Sequence, residues 1–234
     1  MIPLKDSIPN VHRPYTVWCL IGINALVFIY TLSLELEQLV RFFHLYGVVP
    51  ARFTSPEWAD MMNYPDHGWY TIVSHMFVHG GFGHFVINSW IMLIFADNIE
   101  DVMGPAKFLL FYLACGVVAL FAHMIFNLGS TIPVVGASGA IAGIMGAYFL
   151  LYPHSRVVTF IPLFFIIEIP AVVFLGIWFL IQIISGIWAD IYGAGSGVAW
   201  WAHAGGFLAG MALLPLFKDK KRCYYCYQRR KKND

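Results

Sequence analysis

The sequence predicts an all-α integral membrane protein: a bundle of six transmembrane helices with a large outer loop between the first and second. Three observations lead there. Of the 234 residues, 59% are hydrophobic and only 12% are charged, a balance outside the range of soluble domains. Six apolar stretches reach or approach the roughly 20 residues a helix needs to cross the hydrocarbon. Finally, Lys and Arg gather in alternate connections, as the cytoplasmic ends of spans require.

The stretches lie at about 15–34, 82–99, 106–126, 136–152, 166–188 and 199–217. Residues 1–14 are read as a cytoplasmic N-terminus. The apolar run that follows has no small-residue cleavage signal, so the first span is expected to be retained. The connection at 35–81 is rich in Pro, Trp, Tyr and His and is expected to fold on the outer surface. Within it, YGVVPARFT and the aromatic pair Trp69 and Tyr70 suit an interfacial segment. The second span is short and carries His84, Asn88 and Asp97; the fourth is also short and opens on GASG. VVTFIPLFFIIEIP, at 157–170, is interrupted by Pro162 and Pro170 and contains Glu168, so it reads as an inner interfacial lead-in to the fifth span. The glycine-rich stretch at 193–197 is either a plain connector or a movable cap.

Orientation follows from charge. With six spans and the N-terminus inside, Lys5, Arg13, Lys107, Arg156 and the basic tail at 218–234 all fall on the cytoplasmic side, leaving Arg41 and Arg52 outside. The tail is expected to act as a topology signal and to bind anionic lipid. Residues 15–217 form one domain. Cys19 and Cys115 sit in apolar runs without an evident mate. Cys223 and Cys226 supply half of a tetrahedral zinc site and read as a free thiol pair. Glu100 and Asp101, at the end of the second span, are expected to pair with Lys107 or cap nearby groups.

Strongly polar residues within spans are costly and are functional candidates by default. The second, fourth and sixth spans all run from outside to inside, so residues near their starts share one depth. Those residues are His84, Asn88, Ser138 and His203. A serine hydroxyl becomes a nucleophile when a base takes its proton, and imidazole suits that task. His84 and Asn88, four residues apart, share a helical face and carry donors for the negative oxygen of a tetrahedral intermediate, to which the Ser138 backbone N–H adds a third. Gly139 and Gly143 recur at four-residue spacing in the fourth span, as do Gly206 and Gly210 in the sixth, a pattern that lets membrane helices approach closely. His75, His79 and His84 do not read as a metal site, because Gly80-Gly81 breaks the helical face that would hold three ligands together. His79 reads as a brace between the outer loop and the site.

These motifs, GASGAIAG around Ser138, WAHAGGFLAG around His203 and HGGFGHFVIN around His84 and Asn88, resemble those of the rhomboid intramembrane serine proteases. The resemblance runs from the first span to the sixth. It implies a six-helix bundle with Ser138 as nucleophile, His203 as general base and then acid, and no catalytic aspartate. It also implies an oxyanion hole of His84, Asn88 and the Ser138 N–H, with Gly136 in the turn that admits the substrate backbone. The family's Ala-His-x-x-Gly-x-x-x-Gly pattern falls on Ala202, His203, Gly206 and Gly210. This chain departs from many relatives in having Tyr70-Thr71 where they have a Trp-Arg pair, and in having Ala142 where some place an aromatic ring beneath the histidine, so another group must position His203.

The resemblance further implies the compact prokaryotic form in an inner membrane, acting on single-span membrane proteins with small residues at the cut, in contact with lipid and without cofactor, metal or nucleic acid. Two rivals are a noncleaving rhomboid-like binding protein and a small transporter. The second would need polar residues through the full depth of the bundle, whereas here they gather in its outer half.

Overall fold

The computed structural model describes residues 1–65, 67–162, 165–192 and 197–227. A strand, β1 (Ile2–Asp6), precedes α1 (Tyr15–Leu32). The outer connection forms the amphipathic helix α2 (Leu36–Tyr46) and three short helices, α3 (Pro50–Thr54), α4 (Pro56–Met61) and α5 (Thr71–Ser74). Next come α6 (Phe82–Met103), α7 (Pro105–Phe126) and α8 (Ser138–Leu151), then strands β2 (Arg156–Ile161) and β3 (Phe165–Pro170), and lastly α9 (Ala171–Tyr192) and α10 (Trp200–Phe217). Among the described residues, α1, α6, α7, α9 and α10 are long and apolar enough to cross a membrane, and α8, with 14 residues, is shorter.

The short helix is the innermost. Every residue of α8 from Ala140 to Tyr148 is buried, with α10, α7, α6 and α9 packed around it. Lipid is as apolar as leucine, so no hydrophobic effect drives membrane helices together; dispersion between closely fitted backbones does. The fit here depends on glycine. A β-carbon at Gly206 would overlap the carbonyl oxygen of Gly139, and one at Gly210 would overlap that of Gly143. Large rings fill the core, where Phe95, Phe108, Phe111, Tyr112 and Tyr148 are fully enclosed.

Carboxylates at the end of α6 hold the N-terminal segment. Glu100 is 3% exposed, and its two oxygens accept from the backbone N–H groups of Thr16 and Val17 at 3.0 and 2.9 Å. Proline precedes α1 and supplies no side-chain cap, so Glu100 satisfies first-turn donors that would otherwise be unpaired. Asp101 accepts from the N–H groups of Val11 and His12 at 2.7 and 2.8 Å. These carboxylates therefore cap the chain that enters α1.

The structure corrects three expectations. The fold is not all-α: β1, β2 and β3 form an antiparallel sheet in that order, with Pro3 opposite Thr159 and Val158 opposite Glu168. VVTFI and FIIEI are rich in β-branched residues, and hydrogen bonding across strands satisfies their backbone. The strands occupy 156–161 and 165–170, so the fifth apolar helix begins after Pro170, at Ala171, and runs to Tyr192 rather than from 166 to 188. Glu168 lies 3.8 Å from Arg156 across the sheet, both exposed. Lastly, Cys223 and Cys226 are joined in a disulfide instead of remaining free thiols. Residues 193–196 of the proposed cap, and the last residues of the basic tail from 228, lie outside the described residues.

Candidate active site

Ser138 is the first residue of α8, and the loop before it is fixed by the segments around Val48 and His75. Val134 and Val48 exchange backbone hydrogen bonds at 2.7 and 3.0 Å, and the N–H of Gly136 donates to the carbonyl of His75 at 2.8 Å. Gly136 has φ 126°, a conformation that side chains disfavour. A β-carbon there would also come within 2.6 Å of His84 Nε2. The turn thus places Ser138 beside the start of α6 only because residue 136 has no side chain.

His203 lies in the first turn of α10, whose close packing on α8 sets the depth of both residues. Its Nε2 is 2.8 Å from Ser138 Oγ. An imidazole nitrogen at that distance is placed to accept the hydroxyl proton. The other nitrogen, Nδ1, is 2.8 Å from Oε1 of Gln182 on α9. Indole rings of Trp178 and Trp200 flank the imidazole, with centroids 6.0 and 6.3 Å away.

His84 and Asn88 lie on one face of α6, and Asn88 Nδ2 donates to the His84 carbonyl at 3.0 Å. That bond uses one amide proton and leaves the second available. The His84 ring lies against Gly136, next to the start of α8. His79 is 1% exposed, and its ring centroid is 5.3 Å from that of His84 and 5.7 Å from that of Phe85. It packs where the outer segment enters α6. Gly139 and Gly143 of α8 face Gly206 and Gly210 of α10.

Sequence reasoning missed Gln182. The signal was present: a glutamine inside FLIQIIS is a polar group in an apolar span, the same feature that singled out His84 and Ser138. What the pattern lacked was any sign of which neighbouring helix the amide faces.

The arrangement brings the Ser138 hydroxyl to the His203 imidazole, with the His84 ring against the turn that leads into α8. Residues 66–220 match the Rhomboid domain. The chain belongs to the rhomboid family. Similar rhomboid proteins include YdcA of Bacillus subtilis, 35% identical over 89 residues that cover 36% of this chain and 41% of the relative. The rhomboid protease GluP of the same organism is 36% identical over 84 residues, covering 36% of this chain and 16% of GluP. The mitochondrial rhomboid protein 1 of Saccharomyces cerevisiae is 24% identical over 156 residues, covering 65% of this chain and 41% of the relative. Each match spans less than half of the rhomboid relative's own length.

Proposed function

We propose that this rhomboid-family protein is an intramembrane serine endopeptidase that cleaves single-span membrane proteins near the outer face. The observation that carries the reading is the 2.8 Å contact between Ser138 Oγ and His203 Nε2. As Oγ attacks the scissile carbonyl, Nε2 takes its proton; the resulting imidazolium then protonates the leaving amine, and water repeats the sequence to release the acyl group. The Ser138 N–H, the second amide proton of Asn88 and the His84 ring stabilise the oxyanion.

The depth of the reaction follows from helix length. At about 1.5 Å per residue, α8 is roughly 21 Å long, against about 30 Å of hydrocarbon. With its C-terminus at the inner side, its first residue, Ser138, sits below the outer surface. Six helices with both termini cytoplasmic agree with the Lys and Arg distribution, and the likeness to the compact bacterial form supports an inner-membrane location. The substrate helix enters between α6 and α9, which touch through the stacked rings of Phe95 and Phe174, and it unwinds so that a carbonyl reaches Ser138. Unwinding in lipid leaves backbone groups unpaired, so substrates carry glycine or other small residues near the cut.

The test is cleavage of a single-span substrate with a Gly/Ala-rich outer half by the purified protein in liposomes, against Ser138→Ala and His203→Ala. A product from the wild type that both variants fail to form is expected. No product from the wild type across several substrates and lipids sinks the protease reading in favour of a noncleaving binding protein.

A further inference from the structure

The imidazole of His203 carries two nitrogens, and only one faces Ser138. For Nε2 to accept the serine proton it must hold a lone pair, which leaves the single proton of the neutral ring on Nδ1. The two tautomers are close in energy in water. Inside a protein the neighbour of the second nitrogen decides between them, because a buried N–H without an acceptor is destabilising.

That neighbour is Gln182. Its Oε1 lies 2.8 Å from His203 Nδ1, and the residue is 4% exposed. The direction of the amide is itself fixed, since Nε2 of Gln182 donates to the carbonyl of Trp178, one turn earlier on α9, at 3.1 Å. Turning the amide over would set two carbonyl oxygens against each other and point an NH₂ at the ring. An NH₂ at Nδ1 would select the opposite tautomer, in which Nε2 carries the proton and is useless as a base toward Ser138. A glutamine that only satisfied itself within α9 would need the Trp178 bond alone. Here its oxygen reaches across to α10.

We propose that Gln182 is the positioning residue of the dyad: by accepting the Nδ1–H of His203 it holds the ring in the tautomer and orientation that leave Nε2 free to act on Ser138. This rests on the protease reading above. A neutral acceptor suits the location, because a carboxylate at this depth would itself be costly to bury, whereas an amide oxygen directs the ring without adding a charge. It also fills the role left open by Ala142, which is fully buried and supplies no ring under the histidine. The contact joins two helices, so the base is set only while α9 is seated against α10, where Gly186 packs on the Trp201 ring.

The experiment uses the full chain in liposomes and reads two quantities. The first is the His203 tautomer, from ¹⁵N and ¹³C shifts of histidine-labelled protein, assigned by difference with His203→Asn. The second is the kinetics of cleavage of a single-span substrate. In the wild type Nδ1 is expected to carry the proton. Gln182→Met, of similar volume but with no hydrogen-bonding oxygen, is expected to shift the ring toward the other tautomer. Its kcat should fall about tenfold, the effect of one lost neutral hydrogen bond, with KM within about twofold. Gln182→Glu as the neutral acid, whose O–H donates to the Trp178 carbonyl while its C=O still accepts from Nδ1–H, is expected to recover most of that loss. The proposal is overturned if Gln182→Met leaves tautomer and kcat unchanged, or if both variants lose activity and thermal stability together while the proton stays on Nδ1. A wild type that cleaves nothing and whose Ser138 ignores a fluorophosphonate overturns the protease reading instead. The tautomer measurement then still decides separately whether Gln182 holds His203.

Discussion

Gly206 on α10 faces the carbonyl oxygen of Gly139 on α8 with no room for a methyl group between them. The two helices that carry His203 and Ser138 are therefore spaced by backbone, and their separation passes directly to the dyad.

Gly206→Ala is expected to destabilise the protein by about 1–3 kcal/mol, the range for overpacking a well-filled interior, and to slow fluorophosphonate labelling of Ser138 as Oγ and Nε2 move apart. Gly176→Ala is the control, since a β-carbon there would meet only Phe149 Cε2 at 3.9 Å. Thermal unfolding in detergent and the labelling rate check both. Equal behaviour of the two variants would contradict the backbone-spacing account.

Asn88→Ala and His84→Ala each remove a donor that the protease reading assigns to the oxyanion. Each is expected to lower kcat by about 10²-fold, typical of one lost oxyanion donor, with little change in KM. Steady-state kinetics in liposomes check this. A loss confined to KM would assign these residues to substrate binding instead.

Glu100 caps the N-terminus of α1 through both carboxylate oxygens. Glu100→Ala is expected to cost about 2 kcal/mol, the upper end for loss of a helix cap, because the abandoned N–H groups are partly enclosed. Glu100→Gln, which retains one acceptor, is expected to cost less. A shift in thermal midpoint that is the same for both would show that charge, not hydrogen-bond count, dominates.

Asp6, on β1, accepts a hydrogen bond from the Tyr148 hydroxyl. Burial raises its carboxyl from 3.8 to about 6, an effect that the Tyr148 bond only partly offsets. A carboxyl raised on folding contributes most to stability below its unfolded value, and that contribution is lost as pH rises through about 6. The wild type is therefore expected to lose about 1–2 kcal/mol between pH 4 and 7 through this group. Asp6→Asn, which cannot ionise, should lack that part of the slope and be the more stable protein at pH 7. Denaturation midpoints of the two proteins against pH check the sign.

Composition alone determined that this chain lives in a membrane, because few sequences are so apolar and so poor in charge. The order of its apolar helices, and the position of all but the fifth, were equally legible, since each must present a long apolar run to lipid regardless of its neighbours. Ser138, His203, His84 and Asn88 stood out for the same reason: polar groups are conspicuous against that background, and parity of direction predicted one depth for them. Tertiary structure decided the rest. That β2 and β3 form a sheet depended on β1 arriving from the far N-terminus to pair with β2. That Glu100 caps α1 depended on a contact between residues more than eighty positions apart. That Gln182 meets His203 depended on the rotation of α9, for which an apolar helix in lipid carries almost no periodic signal, because its outward face is as apolar as its inward one.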